Sequence, residues 1–250
     1  MTIPEGWFLM GTRAGVSGLA HGEGVESPQR KIWLDAYDID LYEVSLGEYL
    51  AWVLNKPRAL PPDLAQAERL HEISEYTGII TGPEAPSANR LAQWPAFGVT
   101  WHEAEAFCRA KGRRLPTEAE WEKAARGPSG STFPWGKASP NARRAVYGRT
   151  YATAIPQVDV IDSFPNGRSR YGLFHMAGNV AEWVSDWADP AAYRTMPERN
   201  PRGPAAGQQK VVRGGSWQSQ REMLRAASRY AMPPGRRDAT TGFRCARSRR

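Results

Sequence analysis

Three segments of the chain combine a helix-capping sequence with apolar residues spaced three or four positions apart. They begin at Ser45, Thr100 and Thr117, and a glutamate stands three residues after each hydroxyl. In such a capping box the hydroxyl accepts a hydrogen bond from an early backbone N–H, and the glutamate accepts one from the cap's own N–H. Gly112 and Gly127 are expected to end the second and third helices. The pattern predicts three amphipathic helices whose buried stripes include Leu46, Tyr49, Leu50, Val53, Ala104, Phe107, Cys108, Trp121, Ala124 and Ala125.

Strand-like patterns in the chain are short and widely separated. They cover Gly6–Met10, Lys31–Ile39, Val211–Arg213 and Gly242–Ala246. Residues 55–95 form a polar insertion bounded by prolines, with at most one short helix from about Pro62 to Tyr76. Residues 188–208 indicate a second long loop. Few regular elements and many loops predict one mixed α+β domain over residues 1–250.

The composition is that of a globular protein with a basic balance of charge. The 250 residues include 33 Lys and Arg against 26 Asp and Glu, which gives a net charge of +7. Basic runs such as residues 247–250 are too short for a nucleic-acid footprint, and we find no specific nucleic-acid motif. No window reaches the roughly 18 apolar residues of a membrane span, and the first residues do not resemble a signal peptide. The sequence therefore predicts a cytoplasmic protein.

Acidic residues of the third predicted helix and arginines of the C-terminal third are expected to have structural roles. Capping and salt bridges to Arg113, Arg114 and Lys123 are the expected roles of the acids Glu118, Glu120 and Glu122. Buried arginines usually tie carboxylates into a core. We expect this of Arg213, Arg225, Arg229 and Arg244.

Seven motifs follow one another along the chain. They are WFLMG, YEVSLGEYLAW, VTWHEAEAFCRAKGRRLPTEAEWEKAARG, FPWG, YGLFHMAGNVAEWVSDW, VVRGGSW and TGFRCAR. Each is weak alone, but the series resembles the formylglycine-generating enzyme family, also called sulfatase-modifying factor domains. The resemblance implies a variant of the C-type lectin fold with little regular secondary structure. Because the family includes copper enzymes, iron enzymes and binding proteins without known catalysis, the fold alone does not determine function.

The position that carries the family's copper chemistry is changed in this chain. The resemblance implies that the founding enzymes use two cysteines shortly after the GGS turn, as copper(I) requires soft thiolates. Here residues 214–216 are followed by WQSQREML, which contains no cysteine. Neither copper binding nor formylglycine formation is therefore expected. The chain's own Cys108 and Cys245 match a pair that can form a structural disulfide in the family, and two buried thiols in contact are the alternative, which a reducing compartment favours.

Other metals have weaker support from the ligand residues. Iron-dependent relatives use three histidines and an extra helical domain, whereas the four histidines of this chain are far apart: His21, His71, His102 and His175. The family holds one calcium ion around the GNxxEW turn, and the matching residues are His175, Gly178, Val180 and Glu182. His175 replaces the expected asparagine, so a turn that folds without metal is the alternative to calcium. Val146 replaces the asparagine of a second calcium site, which is expected to be lost.

The residues after the GGS turn form the predicted ligand-binding surface. The resemblance implies that family members turn this region towards their substrate or ligand. The residues concerned are Trp217, Gln218, Gln220, Arg221, Met232 and Arg236. We expect an accessory or binding module that recognises a protein or small ligand through residues 214–237. The alternatives are a metal-dependent oxidoreductase or maturation enzyme and, for Trp217, a position in the core.

Overall fold

The structure of the chain, a computed structural model, describes residues 1–13, 25–54, 88–150 and 157–249. Most of the predicted 55–95 insertion, including its short helix, lies outside the described residues. His21 and His71 also lie outside them.

Three of the five helices in the described part of the chain begin where the capping sequences predict, whereas the short helices at residues 88–92 and 192–195 lie in segments that were predicted as an insertion and a loop. The helices are α1 (Leu46–Leu54), α2 (Ala88–Ala92), α3 (Trp101–Ala110), α4 (Glu118–Arg126) and α5 (Ala192–Thr195). Complete capping boxes are present at Thr100 with Glu103 and at Thr117 with Glu120. Ser45 and Glu48 exchange the same pair of hydrogen bonds, both 3.2 Å long. Within the described ranges, no helix has the length and apolar character needed to cross a membrane.

Nine short strands form three small sheets. The strands are β1 (Thr2–Ile3), β2 (Gly6–Met10), β3 (Arg30–Leu34), β4 (Tyr37–Ile39), β5 (Ala181–Trp187), β6 (Lys210–Arg213), β7 (Arg229–Met232), β8 (Thr241–Gly242) and β9 (Ala246–Ser248) among the described residues. The sheet orders are β1-β4-β9, β2-β3 and β7-β6-β5-β8. Strand β5 pairs antiparallel with β6 and parallel with β8. It therefore lies inside the largest sheet, next to the strand that delivers the chain to the GGS turn.

Two of the four predicted strands differ from the structure, and strands β1, β5 and β7 were not predicted. The predicted strand Lys31–Ile39 is divided between β3 and β4, which belong to different sheets. The predicted strand Gly242–Ala246 is likewise divided between β8 and β9. Strand β5 was not predicted, since five of its seven residues are buried and the other two, Ser185 and Trp187, are half-buried, so that exposed and buried positions do not alternate. A strand buried on both faces lacks the polar–apolar alternation that reveals strands in a sequence.

Helix α4 lies at the centre of the core. All nine of its residues are buried, and it contacts β2, β3, β5 and β6. Its apolar residues, such as Trp121, belong to the same core cluster as Phe8 and Ile32 of the β2–β3 sheet. Its carboxylates Glu118 and Glu122 are equally buried. Because an unpaired buried charge is very unfavourable, this helix requires cationic partners.

Arginines supply those partners, as the sequence predicts. Glu118 accepts two hydrogen bonds from Arg229, at 2.7 and 3.0 Å. Glu122 pairs with Arg213 at 2.5 Å and with Arg126 at 2.7 Å. Arg114 pairs with Glu120 as expected, whereas Arg113 pairs with Asp40 instead of an acid of α4. Arg225 pairs with Glu26 and Arg244 with Glu182, partners that the sequence did not specify. Lys123 differs from the expectation because its ammonium donates to the backbone carbonyls of Pro4 and Gly6.

Cys108 and Cys245 are joined by a disulfide bond. Their Cα atoms are 5.6 Å apart, and 137 residues separate them in the sequence. The prediction that the two residues lie side by side is confirmed, whereas the alternative of two free thiols is wrong for this structure. The bond connects α3 to the chain between β8 and β9. Disulfides are rare in reducing compartments. The bond is therefore unexpected for a cytoplasmic protein, and the cytoplasmic location stays a prediction.

Removing the disulfide is expected to lower the stability of the protein. A cross-link that closes a long loop restricts the unfolded chain, and its loss typically costs about 2–5 kcal/mol. We therefore expect the variant Cys108→Ala/Cys245→Ala to unfold at a lower urea concentration than the wild type. With a reductant present throughout, the difference between the urea concentrations at which the two proteins unfold should become smaller. Reactive thiols in denatured, unreduced wild-type protein would contradict the bond.

Candidate functional site

Two consecutive glycines redirect the chain at the end of β6. Gly214 and Gly215 have φ angles of +90° and +66°, which side chains other than glycine rarely adopt. A Cβ atom on Gly214 would lie 3.0 Å from Cζ2 of Trp121, and one on Gly215 would lie 3.0 Å from the carbonyl oxygen of Met223. The pair therefore permits both a sharp turn and a close approach to helix α4 and to the next segment.

Arg213 closes the loop that begins at these glycines. Its guanidinium donates to the carbonyl oxygens of Ala226, Ala227 and Ser228, at 2.9, 2.8 and 2.8 Å. The same group pairs with Glu122 of α4 at 2.5 Å. One fully buried side chain thus holds both ends of the loop and fixes them to the central helix.

Trp217 and Met232, both expected on the ligand-binding surface, are buried instead. Trp217 is 0% exposed and packs in a core cluster with Val146, Val158 and Val180. Its backbone N–H donates to the carbonyl oxygen of Asn179 at 2.8 Å, which turns the residue inward. Met232 is 7% exposed and belongs to another core cluster. Neither side chain is available to a ligand, so the predicted surface needs correcting at both positions.

Gln218, Gln220 and Arg221 point away from the core. Gln218 is half-buried, whereas Gln220 and Arg221 are exposed. The Ser219 hydroxyl accepts a hydrogen bond of 2.8 Å from the Ser216 backbone N–H, which stabilises the turn beneath them. These three predicted residues are therefore neighbours on the outside of the loop.

Arg236 is also exposed but belongs to the following loop. Its guanidinium pairs with Asp238 at 3.3 Å. That loop lies against α3, because the backbone N–H of Trp101 donates to the carbonyl oxygen of Pro234 at 3.0 Å. The indole of Trp217 donates to the carbonyl oxygen of Ala239 at 3.4 Å. Trp217 therefore connects the Arg236 loop to the loop that carries Gln218.

A second segment, residues 133–149, lies beside the loop that carries Gln218. This segment was not part of the surface predicted from the sequence. The backbone N–H groups of Gly148 and Arg149 donate to the carbonyl oxygens of Ser219 and Trp217, at 3.0 and 2.8 Å. Arg221 reaches the hydroxyl of Ser139 at 3.5 Å. The sequence signal was the FPWG motif, which identified the family but gave no position. We define the outer face as Phe133, Trp135, Lys137, Ser139, Arg143, Arg144, Arg149, Gln218, Gln220 and Arg221.

The predicted calcium residues are engaged within the protein. Glu182 is 1% exposed, and both of its oxygens accept hydrogen bonds of 2.7 Å from Arg244. One of them also accepts 2.8 Å from the indole of Trp121. Gly178 and Val180 lie on the same buried turn, and a Cβ atom on Gly178 would lie 2.2 Å from the carbonyl oxygen of Val146. The carboxylate is thus already neutralised by an arginine.

His175 adds a nitrogen where calcium prefers oxygen. Its Nε2 atom is 3.2 Å from the Ser163 hydroxyl and 3.2 Å from the carbonyl oxygen of Val160. Burial lowers the pKa of His175 to about 3, so the ring is neutral at pH 7. Calcium takes six to eight oxygen ligands. The arrangement of His175 and Glu182 therefore does not fit a calcium ion, which favours the alternative of a turn that folds without metal.

The described histidines are also separated from each other. His102 packs edge-on against Trp101 at 5.4 Å, whereas His175 is buried at the GNxxEW turn. Across the described ranges, no three His, Cys, Asp or Glu residues come together as a metal site. Val146, which replaces the asparagine of the family's second calcium site, is buried in the cluster around Trp217.

Glu43 is a buried carboxylate that sequence reasoning missed. It accepts 2.7 Å from the Asn179 side chain and 3.3 Å from the backbone N–H of Val180. Burial, and secondarily the charge of Glu182, raise the pKa of Glu43 well above its usual value. Its contacts position the turn on which Trp217 rests. The YEVS motif that contains it was used only to identify the family.

A comparison with known families identifies the chain. A model described as the sulfatase-modifying factor enzyme 1-like domain matches residues 1–249. The chain belongs to the formylglycine-generating enzyme family. The resemblance stated from the motifs is therefore confirmed.

Individual relatives agree with this assignment. The formylglycine-generating enzyme of Thermomonospora curvata is 34% identical, with 98% of this chain and 92% of that protein covered. The inactive C-alpha-formylglycine-generating enzyme 2 of Mus musculus is 28% identical, with 98% and 84% covered. Among solved structures, Treponema denticola variable protein 1 has a TM-score of 0.73 at 22% identity, with 98% and 93% covered. The predicted fold, an α+β variant of the C-type lectin fold, is confirmed.

Calcium is expected to leave the stability of the protein unchanged. Ligand at a hundred times its dissociation constant stabilises a folded protein by about 2.7 kcal/mol. Because Arg244 occupies both oxygens of Glu182, we expect equal melting temperatures in millimolar calcium and in excess chelator. A rise in melting temperature with calcium, together with a heat of calcium binding that Glu182→Gln abolishes, would contradict this expectation.

Proposed function

We propose that this protein is a binding module of the formylglycine-generating enzyme family that recognises a protein or small ligand through its outer face. Catalysis of formylglycine formation is not part of the proposal.

The cysteine inventory is the observation that carries the proposal. The chain contains two cysteines, and these are bonded to each other. Copper(I) requires soft ligands such as thiolates. In the segment WQSQREML that follows the GGS turn, the one soft side chain is the half-buried thioether of Met223, and no thiol is present. The mouse relative bears the word inactive in its name, so membership of the family is compatible with absent catalysis.

The rigidity of the outer face supports a binding role. Arg213 fixes both ends of the loop, and residues 148 and 149 bond to its first half. A surface that is already ordered loses less conformational entropy when a ligand binds. Exposed glutamine and arginine side chains on such a base can donate hydrogen bonds without rearrangement of the backbone.

A metal-dependent oxidoreductase or maturation enzyme of the same family is the alternative. Elemental analysis of the purified protein separates the two functions. A redox metal near one equivalent per chain would support the enzyme. Calcium alone, or no metal, would support the binding module.

Alanine substitutions on the outer face are expected to weaken partner binding without unfolding the protein. We expect Gln218→Ala/Arg221→Ala to raise the dissociation constant of a partner isolated by cross-linking by about tenfold, equivalent to about 1.4 kcal/mol. Exposed substitutions usually change stability by less than about 0.5 kcal/mol. The melting temperature should therefore stay close to that of the wild type.

The matched control is Gln208→Ala/Arg202→Ala. Both of its residues are exposed and precede β6, whereas the outer-face loop follows β6. This variant should bind the partner as the wild type does. Equal affinity for wild type and the outer-face variant, or equal losses in both variants, would remove the outer face from consideration.

A further inference from the structure

The chain next to the GGS loop carries an unusual distribution of charge. Residues 127–158 contain no aspartate or glutamate. The same stretch contains four cations, namely Lys137, Arg143, Arg144 and Arg149. A segment with cations and no acids creates a local positive potential that attracts anionic ligands.

The structure brings one of these cations, Arg144, to Ser139 together with Arg221 of the GGS loop. Arg144 donates to the Ser139 carbonyl oxygen at 3.0 Å, and Arg221 approaches the Ser139 hydroxyl at 3.5 Å. Lys137 stands two residues before this serine and is exposed, as is Arg143. The side chain of Arg221 is 61% exposed, and its Nε lies 3.7 Å from the carboxylate of Glu222. Cations from two separate segments therefore converge on one small region.

An aromatic pair borders this region. The rings of Phe133 and Trp135 are parallel within 5°, with centroids 5.5 Å apart. Both side chains are half-buried. The indole of Trp135 donates to the carbonyl oxygen of Ala138 at 2.8 Å, which ties the pair to the loop that carries Ser139. Apolar surface and positive charge thus occur side by side on the outer face.

We propose that the ligand of the outer face is an acidic segment of a partner protein. Its carboxylates would pair with Lys137, Arg143 and Arg221, and an apolar side chain would pack against Phe133 and Trp135. This inference rests on the proposed binding function and specifies the class of partner. Arginine forks bind carboxylates through paired hydrogen bonds, which makes the contact directional as well as electrostatic.

The arrangement of the cations favours a peptide over a nucleic acid. Nucleic-acid binding proteins carry a stripe of cations that follows regularly spaced phosphates. Here Arg144 and Arg221, from two separate segments, both reach one residue, Ser139, and the carboxylate of Glu222 lies beside Arg221. A short run of carboxylates next to an apolar residue matches this small group of cations and the aromatic pair beside it.

Fluorescence anisotropy with a synthetic peptide tests the inference. The probe is a labelled peptide of Asp, Glu and Leu residues, and its controls are the same peptide with Asn and Gln and a single-stranded oligonucleotide of equal charge. We expect the acidic peptide to bind the full-length protein, more weakly as salt rises, and the neutral peptide not to bind. The charge-reversed variant Lys137→Glu/Arg143→Glu should lose at least about tenfold in affinity.

Arg194→Glu/Arg202→Glu is the matched control, because it changes the net charge equally at two exposed arginines elsewhere in the chain. It should bind the peptide within about twofold of wild type. If Lys137→Glu/Arg143→Glu does not fold, Lys137→Gln/Arg143→Gln is used and should lose affinity in the same direction. The inference would be overturned if the acidic peptide did not bind, if both charge variants lost affinity equally, or if the oligonucleotide bound more tightly than the peptide.

The two proposals fail in different ways. If Gln218→Ala/Arg221→Ala weakens the natural partner but Lys137→Glu/Arg143→Glu does not, the acidic segment is wrong and the binding face stands. If neither variant weakens that partner, the proposed function fails together with the inference.

Discussion

The structure depends on the pairing of buried arginines with the carboxylates of helix α4. Glu122 is fully buried, and its oxygens pair with Arg213 at 2.5 Å and Arg126 at 2.7 Å. Taking these charges out of water costs several kcal/mol per ion, which only close partners offset. The two terminal nitrogens of Arg213 also donate to the carbonyl oxygens of residues 226–228, which lie outside strands and helices. The network therefore supplies hydrogen bonds to loop carbonyl groups that would otherwise be buried without a partner.

This principle explains how a chain with so few regular elements remains ordered. Arg244 repeats it at the GNxxEW turn, where one guanidinium binds Glu182 and the carbonyl oxygen of Phe174 at 2.8 Å. Arg225 and Glu26 repeat it at the start of the described segment that leads into β3. In each case one fork-shaped side chain bonds to a carboxylate, and Arg213 and Arg244 also satisfy backbone oxygens. Lysine could not replace arginine here, because its ammonium lacks the fixed fork of donors.

Local signals made much of the fold predictable. A capping box involves four consecutive residues, so Thr100 and Thr117 mark their helices without knowledge of the tertiary structure. The burial of Trp217 could not be predicted in this way, because its partners Val146, Val158 and Val180 are distant in sequence. Strand β5 could not be recognised in the sequence, because it is covered on both faces and lacks polar–apolar alternation. The half of the outer face in residues 133–149 depends on backbone hydrogen bonds between two distant loops, which no local pattern reveals.

These observations lead from the core to the function. The Gly214–Gly215 turn and Arg213 give the loop after β6 a fixed shape, and the segment WQSQREML within it contains no cysteine. What remains is a rigid platform whose exposed side chains are polar and cationic. On this account the network in the core is what makes the outer face ready to bind.

Hydrogen–deuterium exchange of Arg213→Lys tests this claim most directly. Lysine keeps the charge but cannot bond at once to Glu122 and to the three carbonyl oxygens of residues 226–228. In each protein the slowest-exchanging amides of α4 and β5 serve as the internal reference. Relative to that reference, the backbone amides of residues 214–226 should exchange faster in Arg213→Lys than in the wild type. Unchanged protection of that loop in a folded Arg213→Lys protein would contradict the account.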